Sequence, residues 1–371
     1  MNARTFFIDR LRVVLSALVI VFHTAIVYGA AGGWYWREVD DLARPLSLVL
    51  TVFCAVCQSF FMGFFFLLAG YFSPPSLARK GVRAFVIDRL LRLGIPLLFY
   101  GFVVGTATSA MVRSSLGPEF FSLWLGMIRR GVFNVGPLWF AEALLVFTAG
   151  FTVWSLVFSG RERDERPAQV PSPRRWVVWA VLVGVGALVI RAWFPLGRDV
   201  AGMNLGYFSS YVFLFVFGCI AWDHRWLERI ERKHARPWGW LSLAVVPVLP
   251  IVAISTGVFS GAGSALAGGQ SAADIVYAFW DPLVAWGIIA VLLWQFRVRC
   301  NAPSARWDRW ASRAYAAYII HPAVVVGVSM SAHALALPTF LKFLLVSTIA
   351  VVSSFAIAGV MRRMPGAQHV L

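Results

Sequence analysis

The sequence predicts an all-α fold, a polytopic transmembrane helix bundle that crosses the bilayer about ten times with both termini in the cytoplasm. Of its 371 residues 60% are hydrophobic and 13% charged, and a soluble domain carries roughly a quarter of its residues charged to solvate its surface. The apolar residues gather into runs near the ~20 residues that a helix needs to cross the hydrocarbon. Lys and Arg gather between alternate runs, which gives the chain an orientation as well as a span count.

The runs cover 12–31, 46–72, 94–112, 137–159, 176–193, 207–222, 238–256, 276–296, 314–331 and 340–360. The sixth is short, and Pro247 and Pro250 interrupt the seventh; proline is tolerated in a spanning helix where neighbours re-satisfy the freed backbone groups. No separate soluble domain fits between the runs, so residues 1–371 read as one integral-membrane domain. The first run is longer than the ~7–15-residue core of a secretion signal, and it reads as a permanent span although Tyr28-Gly29-Ala30-Ala31 resembles a weak cleavage site.

With the N-terminus inside, most of the 33 Lys and Arg residues fall on cytoplasmic segments. Arg4, Arg10 and Arg12 open the series, followed by Arg79, Lys80, Arg83, Arg89 and Arg92, then by Arg161, Arg163, Arg166, Arg174 and Arg175. Three further clusters lie at 225–236, 297–313 and 362–363. The exceptions are Arg37, Arg44, Arg113, Arg129, Arg130, Arg191, Arg198 and Lys342, and the outer loop 257–275 has no basic residue. Because the charge of +16 is spread over short loops and forms no continuous patch, it argues against nucleic acid as a partner and for the lipid bilayer. The segment from Phe120 to Arg130 suits an amphipathic helix, lying along the outer interface or dipping into it. Cys54 and Cys57 form a CxxC inside an apolar run, where thiolates are costly, and read as small packing residues; no metal site is expected.

Ionisable residues inside a span are expensive unless paired or hydrated, so each is a functional candidate. His23, Glu142, Asp281 and His321 are the four. His23 follows Arg12 by eleven residues on one helix, three turns later, so the two share a face about 16 Å apart along the axis. That puts Arg12 at the cytoplasmic boundary and His23 near mid-membrane. A histidine here either hydrogen-bonds a neighbouring helix or accepts a proton in catalysis, and its alignment with Arg12 favours the second. Arg89 and Arg92, at i and i+3, suit a phosphate-bearing ligand or are ordinary positive-inside charge. Glu142, following Leu138-Trp139-Phe140, suits a proton acceptor, a group orienting a histidine or a binder of hydroxyls, against a structural pair with a buried arginine. Tyr318 and His321 share a face, as a packing hydrogen bond or as part of a cavity. Asp281-Pro282 reads as the start or a kink of the eighth span.

Taken together these residues resemble the acyltransferase 3 family, membrane enzymes that acylate extracytoplasmic glycans and related acceptors. Asp9-Arg10-Leu11-Arg12 through His23 resembles the family's opening Arg, ten residues, His motif. Phe64 to Phe72 resembles its FFxLSGF segment, with Ala69 in the Ser place, and Arg89 and Arg92 match its RxxR pair. Gly136-Pro137-Leu138-Trp139-Phe140 with Glu142 resembles its hLWFL..E element, with Pro137 where many members carry His. Phe213 to Gly218 resembles its FllG element, and Tyr315 to Pro322 its SYxIYLxHxP element, with Ala314 in the Ser place. The Pro137 form is most similar to the branch that includes the periplasmic-glucan succinylating proteins.

The resemblance implies an O-acyltransferase of the inner membrane with acyl-CoA as donor and a glycan or glycolipid as acceptor. It implies Arg12, Arg89 and Arg92 as donor-binding residues, His23 as general base with Glu142 as a second catalytic residue, and Trp139, Tyr318 and His321 as substrate-binding residues. An acyl-histidine at His23 is the mechanistic alternative. A transporter of a small solute would also have about ten spans with midplane polar groups, but calls for inverted repeats and paired broken helices, neither of which the sequence displays.

Overall fold

A computed structural model describes residues 5–42, 44–158, 169–255 and 271–370. Arg4, Arg161, Arg163, Arg166 and most of the basic-free loop 257–275 lie outside the described residues. Among the described residues ten helices are long and apolar enough to cross a membrane: α1 (Phe6–Val27), α2 (Pro45–Lys80), α3 (Val82–Arg113), α5 (Gly136–Val157), α6 (Pro173–Trp193), α7 (Leu205–Asp223), α8 (Arg232–Ser255), α9 (Ala272–Arg299), α10 (Ala305–Ser331) and α11 (Thr339–Met361). The expected amphipathic segment forms the shorter α4 (Phe120–Arg129), with Met127 buried and Phe121 exposed. The only strands among the described residues are a two-residue hairpin, Asp199–Val200 against Met203–Asn204.

The observed helices differ from the apolar runs mainly at their ends. α2 continues through Pro74 and Pro75 to Lys80. α3 begins at Val82, so Arg89 and Arg92 ride on the span itself and not in a loop. α3 is also irregular, with π-helical turns over Leu90–Gly94 and Tyr100–Val104. The regular i, i+3 spacing expected around the two arginines is therefore lost from Leu90 onward, where Arg92 sits in the first of those turns.

The chain divides into two compact units. One comprises residues 1–11, 58–89 and 143–302. Small residues bring its helices together: a Cβ on Gly70 would run into the backbone carbonyl of Phe215, and one on Gly218 into that of Leu67. The two glycine-bearing motifs of α2 and α7 thus pack reciprocally, backbone against backbone, which is how spanning helices associate when lipid removes any hydrophobic drive between them. α8 and α9 meet similarly at Gly287, and Ser242 Oγ donates to Leu283 O at 2.8 Å.

The other unit comprises residues 12–57, 90–142 and 303–371. Its core is small and aliphatic at the helix contacts, with Ala25, Val27, Ala316, Ala317, Val325, Val346 and Ala350 all fully buried, or nearly so. α10 and α11 pack along most of their length here, and α1 beyond Leu11 completes the core. His23, Tyr318, His321, Trp139 and Glu142 all belong to this second unit.

Candidate functional site

Where α1 stops decides what can reach His23. The apolar run continues to Ala31, yet the helix ends at Val27 because Gly29 takes φ +119°, a backbone conformation that glycine adopts most freely. Ala30 N donates to Ala25 O at 2.9 Å and Gly29 N to Ile26 O at 3.4 Å, the pair of bonds that closes a Schellman motif. His23 therefore lies four residues from a helix end, in the last third of the span, and not at the midpoint that the apolar run suggested. The chain then folds back over this end: Glu38 N and Val39 N both donate to Val27 O, at 2.8 and 3.2 Å. The returning strap lays Trp34 on His23, with ring centroids 4.0 Å apart and planes 19° from parallel.

The second approach to His23 comes from α10. His321 is completely buried, and its Nε2 lies 3.0 Å from His23 Nδ1. Its Nδ1 lies 2.5 Å from Tyr318 O, one turn back on the same helix. His23 itself is only half-buried, and no hydrogen-bond partner faces its Nε2 among the described residues. The site thus has a closed imidazole, an open one and a tryptophan plane, all within about 24° of parallel.

Tyr318 reaches away from the imidazoles and donates its hydroxyl to Pro137 O, in the turn that opens α5. That turn is shaped by Gly136 at φ +44° and by two phenols that leave no space for a side chain there. Tyr35 Oη donates to Asn134 Oδ1 at 3.2 Å and lies 2.9 Å from Tyr100 Oη, which must then donate to it. Asn134 Nδ2 continues the chain to Ser109 Oγ at 3.2 Å. Burial raises the Tyr35 phenol above its ordinary range, with Tyr100 and Asn134 pulling partly the other way. Trp139 and Glu142 follow in the first turn of α5. Glu142 Oε2 is buried with no hydrogen-bond partner among the described residues, and Glu142 hydrogen-bonds neither histidine. The side chain that meets His23 is another imidazole, that of His321.

The strap is held at its far end as well. Lys342 Nζ, on α11, donates to Glu38 Oε1 at 2.6 Å and to His333 O at 2.8 Å, and both charged side chains are nearly buried. Sequence reasoning counted Lys342 only as an exception to the charge rule. It also passed over Trp34, Tyr35, Tyr100 and Asn134. A lysine at the start of an apolar run and a tryptophan-rich stretch after a helix-ending glycine were the available signals.

The arginines stand differently. Arg12 and Arg92 are exposed, and the Arg92 carbonyl accepts the Tyr315 hydroxyl at 2.9 Å. Arg89 lies with its guanidinium 5.2 Å from the Phe85 ring centroid. In the unit of residues 1–11, 58–89 and 143–302, Asp281 lies inside its span as expected, and of the two readings of Asp281-Pro282 it is the helix start that falls. α9 starts nine residues earlier, just after Ser271, which forms a reciprocal capping box with Asp274. Asp281 is interior and 4% exposed; it accepts from Ser210 Oγ at 2.9 Å and faces the field of Arg191, which is 2% exposed and set against the Tyr277 ring. Among the described residues no group of three or more His, Cys, Asp and Glu side chains could hold a metal ion.

A family model described as an acyltransferase domain matches residues 5–362. The glucans biosynthesis protein C of Escherichia coli strain SMS-3-5 is 27% identical over 196 residues, covering 51% of this chain and 49% of the relative. The proteins of that name from E. coli strain K12 and strain HS match over the same length at the same identity. The chain spans about half the length of these curated relatives. No solved structure matches it.

Proposed function

The chain belongs to the acyltransferase 3 family, and from that premise we propose that it moves an acyl group from cytoplasmic acyl-CoA to a hydroxyl of an extracytoplasmic glycan, with His23 as general base. The observation that carries the chemistry is the half-open His23 ring, backed by a buried imidazole and covered on one face by Trp34. A neutral imidazole in an apolar setting, with one nitrogen unpartnered, is equipped to take a hydroxyl proton.

In this reading both termini lie in the cytoplasm of an inner-membrane protein. Arg89 and Arg92, with Arg12, meet the donor's phosphates, which arginine binds well. The acceptor enters from the other side, guided by Trp139, Tyr318 and Glu142; the buried, unpartnered Glu142 oxygen supports a role in taking hydrogen bonds from hydroxyls. The relatives' name makes a glucan the first acceptor to test. His23 draws the acceptor proton as the oxygen attacks the acyl carbonyl, then returns it to the departing thiolate.

The test is transfer by the purified full-length protein, with succinyl-CoA and acetyl-CoA as donors and a periplasmic-type glucan as acceptor, the product read by mass spectrometry. His23→Gln should lower the rate about 10²–10⁴-fold with the fold intact. Full activity of that variant would overturn the assignment. Arg89→Ala should weaken donor binding, and an unchanged affinity would reduce the RxxR pair to a topology signal.

A further inference from the structure

We propose that His321 is a positioning residue that fixes the tautomer of His23, so that Nε2 of His23 is the nitrogen that takes the proton. The inference rests on the reading of His23 as base and assigns which atom acts and what holds it ready.

The argument begins at Pro322. In an α-helix the amide of each residue donates to the carbonyl four residues back. Proline has no N–H, so Pro322 leaves Tyr318 O without its usual amide partner. An unfilled carbonyl inside an apolar protein is costly. The His321 ring fills it, with Nδ1 at 2.5 Å. A carbonyl can only accept, so His321 Nδ1 carries a proton. In the neutral ring the other nitrogen is then a lone pair.

That lone pair is His321 Nε2, 3.0 Å from His23 Nδ1. It can only accept, so His23 Nδ1 must be the donor. The remaining nitrogen, His23 Nε2, therefore holds the free lone pair. It lies on the half-open ring and has no protein partner among the described residues. One missing amide hydrogen thus sets two imidazoles in series.

The reaction balances through this one atom. His23 Nε2 takes the proton of the acceptor hydroxyl while the oxygen bonds to the acyl carbon of a thioester. The carbon–sulfur bond breaks, and the thiolate leaves with the proton from His23 Nε2. The Nδ1 proton stays on the His321 hydrogen bond throughout. Had His321 carried its proton on Nε2, His23 would be forced to hold its own on Nε2 and would have nothing to accept with.

The test is nitrogen-15 NMR of the full-length protein in lipid nanodiscs, labelled at its six histidines and assigned with His23→Gln and His321→Gln, alongside steady-state kinetics. The wild-type protein should show His23 protonated on Nδ1 and bare on Nε2. His321→Leu should mix or reverse that pattern and lower kcat at least about tenfold, with KM for donor and acceptor little changed, as expected of an interaction that matters in the transition state. His321→Gln, whose amide offers both an acceptor and a donor, should recover most of the loss. Pro322→Ala returns an amide to compete for Tyr318 O, and should loosen the tautomer while keeping the helix. A wild-type His23 protonated on Nε2 overturns the proposal, as do unchanged tautomer and kcat in both His321→Leu and Pro322→Ala. If His23→Gln is inactive while wild-type His23 carries its proton on Nε2, the base reading stands and this inference fails. If His23→Gln is fully active, the base reading fails and the positioning role falls with it, even where the tautomer is as drawn.

Discussion

Gly136→Ala measures how tightly the entry to α5 is clamped. The new Cβ would lie 2.5 Å from Tyr35 Oη and 2.6 Å from Tyr100 Oη, with Tyr100 Cε1 at 3.0 Å. Overpacking of this kind costs about 1–3 kcal/mol. Relief by pushing the phenols apart would break their 2.9 Å hydrogen bond, a further loss of about 1 kcal/mol. The φ of +44° adds about 1–2 kcal/mol for any residue with a Cβ. The sum is about 3–6 kcal/mol, and only the first two contributions depend on the phenol oxygens. Equilibrium unfolding by SDS titration in mixed micelles, followed by tryptophan fluorescence, reads each variant. In a Tyr35→Phe, Tyr100→Phe background the alanine should cost only about 1–2 kcal/mol, the backbone share. The cycle should therefore return a coupling of about 2–4 kcal/mol. A coupling below about 0.5 kcal/mol would mean the phenols do not confine Gly136, and the clamp would be refuted.

Other perturbations follow the same logic. Lys342→Met leaves Glu38 nearly buried without its cation and should cost about 3–5 kcal/mol in the same titration, more than Glu38→Gln with Lys342→Met together. Asp281→Leu leaves the buried Ser210 hydroxyl without its acceptor and should cost about 1–3 kcal/mol, whereas Asp281→Asn keeps an acceptor for Ser210 and should cost clearly less. Gly218→Val drives a side chain into the Leu67 carbonyl and should abolish folded protein on size exclusion; Gly218→Ala should be the milder of the two. Trp34→Ala removes a stacked ring worth about 0.5–1.5 kcal/mol beyond its buried area, and its loss should appear in transfer rate with little change in donor affinity.

The span count was legible because the membrane imposes one requirement on every segment, enough apolar length, and composition meets it plainly. The ends were less legible, since Val27 is followed by Tyr28 and Ala30, both apolar enough to continue. What ends α1 is the conformation of Gly29, which hydropathy does not register. The helix-start reading of Asp281-Pro282 failed for the opposite reason. An Asp-Pro pair looks like a helix start, yet Ser210 and Arg191 from other helices make its carboxylate tolerable inside one. His23 and His321 were both visible as expensive residues, but their meeting joins positions 298 residues apart. No local pattern carries that. Trp34 was invisible because its place depends on a strap whose fold is set by two amides on one carbonyl.

Those two carbonyls, Val27 O and Tyr318 O, explain why the site sits where helices are imperfect. A regular spanning helix consumes all its own backbone groups and presents only side chains to its neighbours. Val27 O is free because its helix has ended, and it takes the amides of Glu38 and Val39, which brings Trp34 onto one face of His23. Tyr318 O is free because Pro322 has no amide to give, and it takes the His321 ring, which turns a lone pair toward His23. Gly29 and Pro322 are therefore not tolerated defects in two spans. Each releases one backbone acceptor inside an apolar protein, and each acceptor orients one of the two rings that meet His23. Replacing either should misplace its own ring and spare the other: Gly29→Ala should loosen Trp34 while the histidine tautomer holds, and Pro322→Ala should loosen the tautomer while Trp34 stays stacked. Loss of both rings together from either single change would show that the site is held as one packed block and not by separate backbone acceptors.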